Sequence, residues 1–79
     1  MKVKLFSVLA EKIGPTIDLN LPDQFVAQDV LDQIKELHPD YANVLDQSLV
    51  AVNEEYTNDE SIKLESVDEI AIIPPVSGG

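Results

Sequence analysis

The sequence predicts a small α+β domain in which one main helix covers one face of a mixed sheet. Three observations indicate this: two alternating polar and apolar segments near the N-terminus, one segment with apolar residues at helical spacing, and a near-continuous apolar segment near the C-terminus. The chain has 79 residues. We therefore expect one domain with a single core and no roomy enclosed active site.

The first two strands are predicted from alternation. Residues 2–6 alternate, and so do residues 16–21. In the first strand Val3 and Leu5 point inward, whereas Lys2, Lys4 and Phe6 point outward. Between the strands, residues 8–13 predict one or two helical turns that end at Gly14 and Pro15.

The main helix is predicted by apolar residues that recur at helical spacing: Val26, Val30, Leu31, Ile34 and Leu37. Pro39 ends this helix, and Asp23 is the nearest good N-cap candidate. The one histidine, His38, falls at the end of the helix, where capping is a better interpretation than metal binding or catalysis.

The C-terminal half predicts a strand at residues 49–52, an acidic loop at residues 54–61 and a short strand around residues 62–64. Residues 69–73 predict a central strand buried on both faces. Two prolines then end the ladder because they have no N–H to donate. This order of elements predicts a β-grasp (ubiquitin-like) roll at residues 1–75, followed by a flexible tail at residues 76–79.

Composition excludes several kinds of site. The chain has no cysteine, which rules out disulfides, thiolate metal sites and cysteine nucleophiles. The adjacent acidic pairs lack calcium-loop spacing and predict solvated turns. A net charge of -10 argues against nucleic acid and anionic membrane as partners. It either favours partners with basic patches or serves solubility alone. No apolar run could span a bilayer and no signal peptide is recognisable, so we expect a cytoplasmic protein.

The tail offers a chemical group that no core residue offers. Pro74 and Pro75 favour a stiff, extended exit, and Val76, Ser77, Gly78 and Gly79 follow. A terminal carboxylate can be activated by ATP, and glycine has no Cβ to block a narrow channel in another protein. Five residues beyond Pro74 reach about 17 Å when extended. Small polar residues are also common at frayed chain ends, but their place after two prolines and a central strand favours the chemical interpretation.

Two segments, residues 51–56 and residues 64–79, resemble the small sulfur-carrying subunit of molybdopterin synthase, of the sulfur-carrier β-grasp family. The opening, with Phe6, Glu11 and Gly14, is similar as well, so the resemblance spans the chain. The chain departs from the family pattern at Val67, where the family usually has glycine, and at Phe25, where it has an N-cap threonine.

The resemblance implies a cycle carried by the tail. An E1-like adenylyltransferase uses ATP to adenylate Gly79, and the adenylate becomes a thiocarboxylate. The tail then enters the large subunit of the synthase, which passes the sulfur to cyclic pyranopterin monophosphate. Gly78 lets the tail thread, and Ser77, Val76 and Pro75 bind along the channel. The resemblance therefore implies a hetero-oligomer, with no cofactor bound to this chain and no catalysis by it alone.

Phe6 is the remaining candidate for recognition. An exposed aromatic side chain on the outward face of the first strand could anchor a partner. Alternatively, residues 8–13 could fold over it and make it part of the core.

Three functions remain open from the sequence. The first is sulfur transfer for molybdopterin. The second keeps the chemistry but delivers sulfur to thiamine or tRNA, or attaches the chain to proteins as a ubiquitin-like modifier. The third is a binding module whose tail is inert. The ending of the chain favours the first, by resemblance.

Overall fold

A computed structural model describes residues 1–75. The strands are β1 (Lys2–Leu5), β2 (Thr16–Asp18), β3 (Gln24–Phe25), β4 (Leu49–Val52), β5 (Glu55–Thr57), β6 (Ile62–Lys63) and β7 (Ile70–Ile73). The α-helices are α1 (Ser7–Lys12), α2 (Ala27–Leu37) and α3 (Ala42–Asp46), with 3-10 turns at Pro39–Tyr41 and Leu64–Ser66. Among residues 1–75, no helix has both the length and the apolar character that a membrane span requires.

The five-stranded sheet has the order β2-β1-β7-β4-β5. β1 and β7 are parallel, and the other neighbouring pairs are antiparallel. The prediction of a mixed sheet with residues 69–73 at its centre is therefore confirmed. β3 and β6 form a separate two-stranded sheet.

The core lies between α2 and one face of the five-stranded sheet. Helix α2 contributes Ala27, Val30, Leu31 and Ile34. The sheet contributes Val3, Leu5, Val50, Val52, Ile70 and Ile72. Ile34, Ile70 and Ile72 are fully buried, and each such aliphatic side chain contributes about 1.5–3 kcal/mol by leaving water. The predicted inward positions of Val3 and Leu5 are confirmed.

The backbone groups at the two ends of α2 find hydrogen-bond partners although the helix has no conventional side-chain cap. The N-cap is Val26, which has no side-chain oxygen, so the prediction of Asp23 as N-cap is wrong. The carboxylate of Asp29 instead accepts a hydrogen bond of 2.9 Å from the Val26 N–H. Phe25 lies outside the helix, in β3, and is buried. His38 is the C-cap, as predicted, and its N–H donates to the Ile34 carbonyl at 2.8 Å.

Several elements differ from the prediction. The predicted acidic loop contains a strand, β5, which pairs with β4. The turn between them has Asn53 at φ 52° and Glu54 at φ 70°, and two-residue hairpin turns of this kind need positive φ at both positions. The second strand ends at Asp18, three residues earlier than predicted. β3 and α3 were not predicted.

The side chain of Asn53 joins this turn to the segment before β7. Its Oδ1 accepts hydrogen bonds from the N–H groups of Asp68 and Glu69, at 2.7 and 3.1 Å. Its Nδ2 donates to the Ser66 carbonyl at 2.9 Å. Val67 has φ −92°, a value open to any residue. The missing family glycine at this position therefore causes no backbone strain.

Candidate functional site: the root of the tail and the open face

The root of the tail lies at the end of the central strand. Ile73 is the last paired residue of β7, and it lies opposite Leu49. Pro74 is buried and Pro75 is exposed. The chain therefore leaves the domain beside the start of β4, with Pro74 as its last buried residue among residues 1–75.

The face of the sheet opposite the core is called the open face here. Its central row follows from the pairing register: Lys4 lies beside Ala71, Ala71 beside Ala51, and Ala51 beside Tyr56. The two alanines are buried, whereas Lys4 and Tyr56 at the ends of this row are exposed. Burial of Ala71 on this face, with Ile70 and Ile72 on the other, agrees with the prediction that β7 is buried on both faces; Ile73 is half-buried.

A second row lies at the root of the tail. Phe6 follows Leu5, whose neighbour in β7 is Ile72, so Phe6 lies level with Ile73. Leu49 lies on the other side of Ile73. We call Phe6, Ile73 and Leu49 the exit patch. Phe6 is 45% exposed and Leu49 is 51% exposed, and contiguous exposed apolar side chains of this kind mark interaction sites more often than isolated ones do.

The structure decides between the two interpretations of Phe6. Helix α1 directs Leu9 into the core and leaves Phe6 exposed. Val8 in the same turn is also exposed, at 38%. Phe6 is therefore a surface residue, and its role in binding stays a prediction.

The charged residues of the open face lie further from the tail. Lys4 pairs with Glu69 at 3.3 Å, and both side chains are substantially exposed. An exposed pair of this kind contributes little to stability. The open face thus changes from apolar at the root of the tail to polar at its other end.

One further group of charged side chains, around Lys35, connects two helices. Lys35 in α2 donates a hydrogen bond to Asp46, which joins this helix to the end of α3. Lys35 also pairs with Asp32 of its own helix at 3.4 Å. The hydrogen bond to Asp46 is the main cause that raises the pKa of Lys35. Within residues 1–75, no group of three His, Asp or Glu side chains could hold a metal ion.

The remaining predicted site residues, Val76, Ser77, Gly78 and Gly79, lie outside the described residues. Of the predicted site residues within the described part of the chain, Phe6 lies level with Ile73, two residues before Pro75. The sequence analysis missed Leu49, Tyr56 and Ile73 as members of the same face. The outward positions of β4 and β7 could have indicated them, but only once the strand order was known.

Comparison with known proteins gives a consistent result. Residues 3–79 match the ThiS family. A protein of Dictyostelium discoideum named molybdopterin synthase sulfur carrier subunit is 44% identical over 81 residues, which cover 99% of this chain and 94% of that protein. A human protein of the same name is 35% identical over 82 residues, covering 100% of this chain and 93% of that protein.

The fold is similar to that of a solved structure. The crystal structure of SAMP1 from Haloferax volcanii matches with a TM-score of 0.75 and 32% sequence identity. The match covers 99% of this chain and 97% of that one. The predicted β-grasp fold is therefore confirmed.

Proposed function

This chain belongs to the ThiS family, and we propose that it is a molybdopterin synthase sulfur carrier whose working group is the carboxylate of Gly79. The observation that supports this most directly is its similarity, over almost its whole length, to relatives that carry that name. The geometry adds that the root of the tail lies beside an exposed apolar patch on a folded domain.

The proposed chemistry starts with activation. The Gly79 carboxylate attacks the α-phosphate of ATP in the site of an E1-like enzyme, which forms an acyl-adenylate and releases pyrophosphate. A donor that supplies sulfur at the sulfide level then displaces AMP and leaves a thiocarboxylate. In the large subunit its sulfur forms a bond to a carbon of cyclic pyranopterin monophosphate as a carbon–oxygen bond of that substrate breaks. Water then hydrolyses the resulting thioester, which leaves the sulfur on the substrate and restores the carboxylate. ATP binds to the partner, and this chain binds no cofactor.

The residues of the tail have separate roles in these steps. Gly78 and Gly79 have no Cβ, so they suit a narrow channel. Ser77, Val76 and Pro75 line the same path as contact residues. A partner that encloses the tail also excludes water from the reactive acyl group. The chain therefore contributes placement, and the partners contribute the catalytic groups.

The exit patch is the proposed docking surface for those partners. A tail of four residues offers little area, so much of the affinity has to come from the domain. Phe6 is an aromatic side chain of the kind that anchors interfaces, and Ile73 of β7 and Leu49 of β4 extend the apolar surface from it. Tyr56 of β5 lies on the same face, beside Ala51.

The decisive experiment measures the mass of the C-terminal peptide after incubation with ATP and the E1-like enzyme. We expect an ATP-dependent intermediate that carries AMP on the C-terminal glycine, and sulfur in place of one oxygen once a sulfur donor is added. A protein extended by one residue after Gly79 is the matched control and should show neither. Absence of both products from the unmodified protein would contradict the proposal.

The acceptor separates this proposal from its alternatives. A carrier for thiamine or tRNA thiolation, or a ubiquitin-like modifier, would form the same adenylate. Only a molybdopterin carrier converts cyclic pyranopterin monophosphate when the thiocarboxylate form is mixed with the large synthase subunit. An inert tail would form no adenylate. We also propose that the protein acts in the cytoplasm.

A further inference from the structure

Ser7 has a backbone conformation that is unusual for its residue type. Its φ is 51°, in the left-handed region that residues other than glycine and asparagine rarely adopt. Among residues 1–75, two other residues besides glycine have positive φ, Asn53 and Glu54. Those two form the turn between β4 and β5, which requires it. Ser7 belongs to no hairpin and needs a separate explanation.

Local hydrogen bonding of the side chain does not explain the conformation. The hydroxyl of Ser7 makes no hydrogen bond within the described part of the chain, and α1 has no side-chain cap. The backbone closes the turn instead. The carbonyl of Phe6 accepts hydrogen bonds from the N–H groups of Leu9 and Ala10, at 3.1 and 3.3 Å.

The turn at Ser7 separates two side chains that go to opposite environments. Leu5 ends β1 in the core, and Leu9 is fully buried two residues into the helix beyond Ser7. Phe6 keeps an extended backbone, with φ −128° and ψ 163°, so it continues the outward side of β1. The left-handed residue lets the chain turn at once into α1 and return Leu9 to the core, while Phe6 stays on the open face.

We propose that Ser7 is a positioning residue for partner docking, because its strained backbone holds Phe6 in the exit patch. This inference rests on the proposed docking role of Phe6. Strain at a residue other than glycine persists only where the surroundings determine it, and it clusters at functional sites. Glycine at this position would remove the strain, but it would also open more backbone conformations. A serine restricts the range of backbone conformations at the turn and so keeps Phe6 in one orientation.

The test compares Ser7→Gly with Ser7→Asn. Asparagine has a Cβ and tolerates the left-handed region, so Ser7→Asn should keep the unmodified affinity for the large synthase subunit. Ser7→Gly should raise the melting temperature by about 2–5 °C and weaken that affinity about threefold to tenfold, since Phe6 must be ordered on binding. The NMR order parameter of the Phe6 amide should fall in the free Ser7→Gly protein.

A double-mutant cycle connects the effect to Phe6. In a Phe6→Ala background, Ser7→Gly should leave the affinity unchanged. If Phe6→Ala alone leaves the affinity unchanged, the docking role is wrong and the inference falls with it. If Phe6→Ala weakens binding but Ser7→Gly does not, the docking role stands, and Ser7 is merely a strained turn residue.

Discussion

Leu49 and Ile73 lie opposite each other as the first residue of β4 and the last of β7. This pair sets the point at which the sheet ends and the tail begins. Because Phe6 lies level with Ile73 on the other side, the three apolar side chains form a row two residues before Pro75. Under the proposed function, this row is the surface that a partner bound to the tail contacts.

Truncation of Phe6 tests the row. We expect Phe6→Ala to weaken binding to both the E1-like enzyme and the large synthase subunit by about 2 kcal/mol or more, roughly thirtyfold. The free energy of unfolding should change by less than about 0.5 kcal/mol, as for most surface changes. Leu37→Ala is the matched control, because Leu37 is 56% exposed and lies at the end of α2. An unfolding loss of about 3–5 kcal/mol for Phe6→Ala would show that Phe6 packs inside.

Gly79 is expected to be indispensable and the length of the tail fixed, because the reacting carboxylate stands at the very end of a threaded segment. Deletion of Gly79, or addition of one residue after it, should stop sulfur transfer. The melting temperature should stay nearly unchanged, because every residue of the described core precedes Pro75. Sulfur transfer and thermal unfolding measured on the same preparations check both statements. Transfer by an extended protein without prior trimming would contradict the prediction.

Residues 76–79 are expected to be mobile in the isolated chain. The sequence gives the backbone no ladder partner after Pro75, and only Val76 has apolar area to bury. NMR order parameters should therefore drop from Val76 onward. Values as high as those of β7 in a monomer would refute this, and the same measurement on the complex should show the tail ordered.

The turn between β4 and β5 carries strain that can be relieved. Glu54 has φ 70°, which costs a residue with a side chain about 1–2 kcal/mol. Glycine in its place destabilises the folded state by about 0.5–1 kcal/mol, because it loses more backbone entropy on folding. We expect Glu54→Gly to raise the free energy of unfolding by about 0.5–1 kcal/mol, measured by denaturant titration. Glu55→Gly removes the same charge within β5 and should destabilise the fold instead.

The ion pairs of Lys35 make the free energy of unfolding depend on pH in the alkaline range. The hydrogen bond to Asp46 raises the pKa of Lys35 above its ordinary value of 10.5. A raised pKa stabilises the fold below 10.5, and that contribution disappears as the pH rises through the folded value. Lys35→Met should therefore lower the melting temperature at neutral pH, with a difference that shrinks above pH 10.5. Lys12→Met is the control, because Lys12 makes no ion pair within residues 1–75.

The sequence predicted the elements that have strong local patterns. Alternation located β1, helical spacing located α2, and the apolar run located β7. It missed β5 because only three residues pair there, on an exposed edge strand where no alternation is required. It missed β3 because Phe25 is buried by pairing with Ile62, far along the chain. Helix α3 has five residues and one fully buried side chain, Leu45, too few for a periodic pattern.

The candidate site was predicted in part for the same reason. Phe6 and the tail are visible in the sequence because each stands out by residue type. Leu49 and Tyr56 stand out only when β7, β4 and β5 are placed side by side. Their membership of the open face is a property of strand order, which no local pattern contains.

The hydrogen bonds of Asn53 also have a consequence for local opening of the domain. One side-chain oxygen holds the N–H groups of Asp68 and Glu69, and the Asn53 N–H donates to the Glu69 carbonyl at 2.8 Å. The hairpin turn and the entry to the central strand therefore cannot open separately without breaking the same bonds. We therefore expect the amide hydrogens of both segments to exchange as one cooperative unit, at the end of β7 that lies away from Pro75.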